Sequence, residues 1–274
     1  MAEPTALLWI VLALVLLAEF VNGWTDAPNA IATVVSTRVL SPRTAVVVAT
    51  VLNAVGAMSG TAVAATIGKG IVETGVVNLV TVGAAMVAIV IWSTLAWRYG
   101  LPTSESHALV AGLTGAGLAT AGPAALLWEG WRKVLIGLLF STFLGFGIGL
   151  LLIIAVFWVC RRWTPGRVRN VFGRLQLFSA MFMAFSHGSN DGQKFIGAFT
   201  LALVLGGVIP EFEVTWGVVL LCSAIMGVGT SVGGWRIIRT MGMRMVKLEP
   251  HHGFAAETAA GITIMGAGAF GIPL

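Results

Sequence analysis

Charge is scarce in this sequence. Only 10% of its 274 residues are Asp, Glu, Lys or Arg, 57% are hydrophobic, and the mean hydropathy is +0.94. That balance excludes an ordinary soluble domain. Cysteine is nearly missing: Cys160 and Cys222 stand far apart, each in or beside an apolar run, so neither a disulfide framework nor a thiolate metal site is expected. Both read as packing residues. No Gly-x-Ser-x-Gly elbow occurs, and neighbouring Ser and His do not by themselves make a nucleophile and base. An intramembrane hydrolase built on Ser104 or Ser106 with His107 or His187 is therefore disfavoured; neither an enzyme nor a cofactor is expected. The two histidines lack further ligands at suitable spacing and read as hydrogen-bonding residues rather than metal ligands. The net charge of +5 does not point to nucleic acid, because the basic residues fall in connectors between apolar runs. A basic stretch ahead of the first apolar run is also lacking, with Glu3 in its place, so a cleaved signal peptide is not expected.

What the sequence has is apolar length. A bilayer core of roughly 30 Å takes about 20 apolar residues per helix, and such runs recur at about 6–37, 44–66, 78–97, 101–128, 134–160, 177–209, 214–234 and 252–274. The fold class is an all-α polytopic membrane protein with the lipid bilayer as its solvent. The basic stretch "RRWTPGRVRNVFGRLQ", 161–176, reads as a cytoplasmic linker. Threading alternate sides from it brings Arg38, Arg43, Arg98, Arg236, Arg239, Arg244 and Lys247 to the same side and leaves Lys69, Arg132 and Lys133 opposite. Positive charge favours the cytoplasm, so the chain is expected in a plasma or inner membrane with its N-terminus outside.

The chain also resembles itself. "FVNGWTDAPNAIA" and "FSHGSNDGQKFIG" pair Phe20 with Phe185, Gly23 with Gly188, Asp26 with Asp191 and Ile31 with Ile196. A second pair, "YGLPTSESH" and "FGIPL", follows in the same order: Asp26 to Pro102 is 76 positions and Asp191 to Pro273 is 82. In the threading above the copies run in opposite directions, as in transporters built from inverted repeats. The expected domains are a first inverted repeat at 1–160, the linker, and a second repeat at 177–274. This second repeat is incomplete, because counterparts of Ser104–His107 and the following helix are missing.

Polar residues at membrane depth are tolerated where they line a cavity or are buried in protein. Gly23 and Pro28 are expected to break the first helix, and Gly188 the second, with Asp26, Asn29, Asn190 and Asp191 offering oxygens to a small cation; the bland alternative is helix ends capped at the headgroups. "GLPTSESHALVAGLTGAGLA" puts Pro102 before hydroxyls and a helix start. Such an end attracts anions, although a re-entrant hairpin whose hydroxyls only cap the helix reads equally from local sequence. Lys194, in the place of Asn29, needs Asp191 or a substrate as partner. Glu19 and Glu257 are proton carriers or hydrogen-bonded acids in helix interfaces. Spacings such as Gly56/Gly60 and Gly229/Gly233 fit close helix packing.

"NGWTDAPNAIATVVSTRVL", "GLPTSESHALVAGLTGA", "FSHGSNDGQKFIGAF" and "HHGFAAETAAGITIMGAGAFGIPL" together resemble the inorganic phosphate transporter (PiT) family, from about residue 6 to the last residue. The resemblance implies two inverted repeats with broken helices and re-entrant hairpins, and a secondary transporter importing phosphate, or in some members sulfate, with Na⁺ or protons. It implies that Asp26, Asn29, Asn190 and Asp191 serve the coupling ion, with Asp26, Asn29 and Asp191 holding Na⁺ if the ion is sodium. It makes Thr103, Ser104 and Ser106 the candidate substrate residues, to which the intramembrane Lys194 adds a substrate contact or a salt bridge, and by analogy a homodimer. Glu105 stands where many relatives have a neutral hydroxyl residue, and its charge is costly near an anion unless the side chain points away. The second hairpin ends at Pro273–Leu274, from which an incomplete transporter, or one completed by a second polypeptide, is expected. A passive anion channel is the remaining alternative; it cannot concentrate its substrate.

Overall fold

The computed structural model of the protein describes residues 5–232, 234–240 and 247–274; Arg244 and Gly233 lie outside them. The described residues form α-helices joined by short connectors. They are α1 (Ala6–Ser36), α2 (Pro42–Ala57), α3 (Ala62–Gly70), α4 (Leu79–Tyr99), α5 (Glu105–Ala121), α6 (Trp128–Cys160), α7 (Pro165–Leu205), α8 (Trp216–Val232), α9 (Trp235–Arg239) and α10 (Pro250–Ala269). Starts follow local chemistry: Thr5, Ser41, Asn78, Ser104 and Thr164 each accept a backbone N–H of the first turn through the side chain.

By length and hydropathy α1, α4, α5 with its 3₁₀ extension, and α6 can each cross a membrane, and α2 with α3, bent by 68°, has the length and hydropathy of a broken span or a re-entrant loop. Helix α6 is apolar all round and buries only Gly130, Gly137, Val156 and Cys160, so its surface meets lipid. Helix α7 is the reverse. Every residue from Ser186 to Ala202 is buried, His187, Asn190, Asp191 and Lys194 included, so protein surrounds its polar middle.

Two expectations need correction. Helices α1 and α7 are not broken: both run continuously through the polar motifs, and Pro28 sits inside α1. Proline removes one donor, so the Trp24 carbonyl loses its partner four residues on. The backbone of Gly234, before α9, comes in at that point, where an added Cβ would lie 2.7 Å from the Trp24 oxygen. Gly23 serves packing rather than turning. A Cβ on it would lie 2.4 Å from the Met226 carbonyl oxygen on α8, and one on Gly188 would lie 2.2 Å from the Asn53 carbonyl oxygen on α2. The stretch 161–176 is also not a linker, because Thr164 and Pro165 start α7 within it and only four residues connect α6 to α7.

The packing has a paired pattern. Helix α8 lies along α1 through Gly23 and Gly229, and α2 lies along α7 through Gly56 and Gly188. Helix α4 runs beside α1 to the level of Trp24, whose ring meets Trp97 at 4.5 Å, and α10 runs beside α7 until a Cβ added at Gly268 would lie 3.6 Å from the Asn190 amide. Both α4 and α10 then end on a glycine of positive φ, Gly100 at 68° and Gly271 at 66°, a conformation that favours glycine at a helix C-terminus. Each turn sends a Leu-Pro or Ile-Pro segment towards the middle of its long partner helix. Arg38, Arg169 and Lys247 line one cavity of about 950 Å³, and beside the Gly100 turn Arg236 donates to the Arg98 carbonyl at 2.8 Å.

Candidate functional site

Four segments meet at the centre: the middles of α1 and α7, the 100–106 turn into α5, and the 271–274 turn after α10. Asp26, Asn29, Thr103, Ser104, Asn190 and Asp191 share a cavity of about 320 Å³, which Ser106 and His187 also line. Ser104 and Ser106 also face a second cavity of about 340 Å³ towards α6 and α10, so the hydroxyl end lies between two openings.

On α1, Asp26 is 4% exposed and its carboxylate accepts from the Asn29 amide at 2.9 Å. On α7 Asp191 holds the matching place, but Lys194 pairs with it there. The Lys194 ammonium, 0% exposed, also donates to the Ser106 hydroxyl and the Leu274 main-chain oxygen. It therefore bonds both the acid of α7 and the hydroxyl of α5. His187 lies between the two acids, with Nε2 3.9 Å from Asp26 and 3.6 Å from Asp191, and Nδ1 3.2 Å from the Asn53 amide oxygen. One ligand atom each of Asp26, His187 and Asp191 lie within 4.8 Å of one another. His187 is hydrogen-bonded to Asn53, and the grouping with the two acids is not visible from local spacing because Asp26 comes from another helix.

Asn190 clamps the last turn, its amide donating to the Ile272 carbonyl and its oxygen accepting from the Leu274 N–H, both at 3.0 Å. Ser104 caps α5 by accepting the His107 N–H at 3.3 Å. Glu105 points away from the cavity. Its oxygens accept from the Thr25 hydroxyl at 2.9 Å and the Ser93 hydroxyl at 2.6 Å, so its charge is held between α1 and α4.

The other buried acids lie outside this cluster. Glu257 on α10 accepts from Thr33 at 2.5 Å, Gln176 at 3.0 Å and Ser179 at 2.5 Å, and so ties α10 to α1 and α7. Of these donors sequence reasoning named none; polar residues on apolar helices were the signal that could have found them. Glu19, fully buried, takes one bond from the Asn22 amide at 3.2 Å, and its other oxygen has no hydrogen-bond partner among the described residues.

Two acids, an amine and serine hydroxyls at a helix start, enclosed midway along two continuous helices, define a class: a polytopic membrane protein with a polar centre buried among its helices. Comparison with known proteins gives the family. The sequence model of the phosphate transporter family matches residues 22–165 and 160–274. A Rhizobium meliloti protein described as a probable low-affinity inorganic phosphate transporter is 42% identical over 96% of this chain and 79% of its own. One of the same description from Bacillus subtilis is 38% identical over 93% and 78%. A solved structure titled the sodium-dependent phosphate transporter superposes with a TM-score of 0.80 over 98% of this chain and 86% of its own, at 24% identity, which shows a shared fold. The chain belongs to the phosphate transporter family, whose members matched here are transporters and not enzymes.

Proposed function

We propose that the chain imports inorganic phosphate across a membrane, coupled to a cation. The observation that carries this is the shared cavity, in which the Ser104 and Ser106 hydroxyls at the α5 start face Asp26, Asn29 and Asp191. A helix start carries unpaired N–H donors and partial positive charge, which suit an oxyanion. Phosphate placed there with Thr103, Ser104 and Ser106 as donors has the Lys194 ammonium beside it. Two carboxylates in the same cavity repel that anion, and a cation at Asp26 and Asn29 removes part of the repulsion. Coupling then follows from electrostatics, since anion and cation each lower the cost of bringing in the other. The relatives' descriptions as phosphate transporters support the choice of oxyanion.

The paired glycine contacts, the two positive-φ glycines and the two proline turns support reading 1–160 and 177–274 as inverted repeats. Rocking of one against the other then switches access to the site. The common cavity of Arg38, Arg169 and Lys247 fits the cytoplasmic side inferred from charge.

The test is uptake of labelled phosphate by liposomes containing the purified chain, with and without gradients of Na⁺ and of protons, and with sulfate as competitor. Accumulation above the outside concentration that needs one of these gradients is expected, with phosphate preferred over sulfate. Equilibration without accumulation indicates a channel, and no uptake either by this chain or by a version extended through a second hairpin rejects the assignment.

A further inference from the structure

The two long helices place different groups beside corresponding acids. On α1, Asp26 has the neutral amide of Asn29 three residues on, and the pair lines the cavity. On α7, Asp191 has Lys194 three residues on, bonded to the acid and to Ser106 and wholly shielded from solvent. A primary ammonium has three donors, and here it has three acceptors: the Asp191 carboxylate, the Ser106 hydroxyl and the Leu274 main-chain oxygen. Such oxygens are also what a small hard cation takes as ligands.

We infer that Lys194 is a tethered cation. Its ammonium fills the cation place at Asp191, leaving only the place at Asp26 and Asn29 for a mobile ion. Charge arithmetic gives the same answer. With both carboxyls ionised, Asp26 and Asp191 bring two negative charges and Lys194 returns one positive, so a single monovalent cation balances the acids before the anion arrives. With a neutral side chain at 194, two are required. Lys194 thus sets how many ions accompany each anion, and its bond to Ser106 carries that fixed charge to the hydroxyl end of the site. This rests on the cation-coupled transport proposed above.

The experiment counts Na⁺. Purified full chain, wild type and Lys194→Asn, is titrated with ²²Na⁺ in detergent with inorganic phosphate present, and bound Na⁺ per chain is measured. Lys194→Asn is expected to bind one Na⁺ more than wild type, Lys194→Arg to bind no more than wild type, and Lys194→Asn combined with Asp191→Asn to lose the added ion. A monodisperse Lys194→Asn chain without an added ion overturns the inference, and so does an added ion in Lys194→Arg. Lys194→Gln serves if the Asn variant does not fold. A count on wild type alone also decides: in liposomes, ²²Na⁺ and ³²P counted together should give at most one Na⁺ per phosphate, and two or more overturns the tethered cation. Absence of phosphate uptake both by wild type and by the extended version rejects the transport reading instead, and the binding count in detergent still judges Lys194.

Discussion

Asp26 and Asp191 are the same residue in matching motifs, yet their surroundings give them different work. Asp191 is matched by a buried ammonium, which offsets much of the cost of several kcal/mol for taking each charge from water. Asp26 has the Asn29 amide, a neighbouring imidazole and the Asp191 carboxyl beside it but no buried ammonium of its own, and the proposed function assigns it the mobile cation. Asp26→Asn keeps shape and loses charge. It is expected to abolish concentrative uptake while the protein stays folded in the membrane, as gel filtration beside the liposome assay would show; wild-type accumulation by this variant removes the site assignment. Glu105 makes the contrasting prediction. Truncation in Glu105→Ala strands the Ser93 hydroxyl in a buried interface, while the Thr25 hydroxyl keeps the Val21 carbonyl at 2.8 Å, and should lower stability by about 1–3 kcal/mol. Glu105→Gln, which keeps one acceptor oxygen and can donate its amide NH₂ to the other hydroxyl, should lose less. Thermal unfolding in detergent distinguishes the two, and equal losses would show that the carboxylate is not held by these hydroxyls.

Among the elements, the decisive contacts are backbone to backbone. Without a strong hydrophobic drive between helices in lipid, close approach supplies the attraction, and small residues permit it. Gly188→Ala forces a methyl group against the Asn53 carbonyl, and the expected cost is about 1–3 kcal/mol with α2 pushed away from the polar middle of α7. Gly115 on α5 is the control. No neighbouring atom lies within 4 Å of the added carbon, so Gly115→Ala should be neutral or stabilising by up to about 1 kcal/mol through helix propensity. The order of melting temperatures checks both, and a reversed order would overturn the packing account. The same approach explains why the polar motifs did not reveal continuous helices. Pro28 and the glycines look like breakers in one dimension, and only with α8 and α9 beside α1 does it emerge that the gaps are filled by neighbouring backbone.

At the scale of the molecule, α6 and α7 are adjacent in sequence and opposite in surroundings. Phe143 on α6 is 73% exposed and Phe195 on α7 is 0% exposed. Phe195→Ala should therefore cost about 3–5 kcal/mol by leaving a cavity, while Phe143→Ala stays within about 0.5 kcal/mol. Phe143→Lys puts a charge where the helix meets lipid, at about 2.5–3.5 kcal/mol on an insertion scale, and should reduce the membrane-inserted yield. Matched yields for Phe143→Lys and Phe143→Ala would show that α6 does not face lipid.

The sequence alone determined the membrane class, the approximate extent of the apolar runs and the acids worth examining, because each depends on composition or on spacing within one segment. Charge scarcity selects the bilayer as solvent whatever the fold, and the Asp26 and Asp191 motifs recur whatever packs around them. Tertiary structure decided the rest. Whether Pro28 breaks a helix, whether Glu105 faces the cavity, and what Lys194 and Glu257 hold depend on groups from other segments, several of them 80 or more positions away in the chain. A buried charge or an open carbonyl is settled by whichever neighbour satisfies it, and in this protein those neighbours come from other helices.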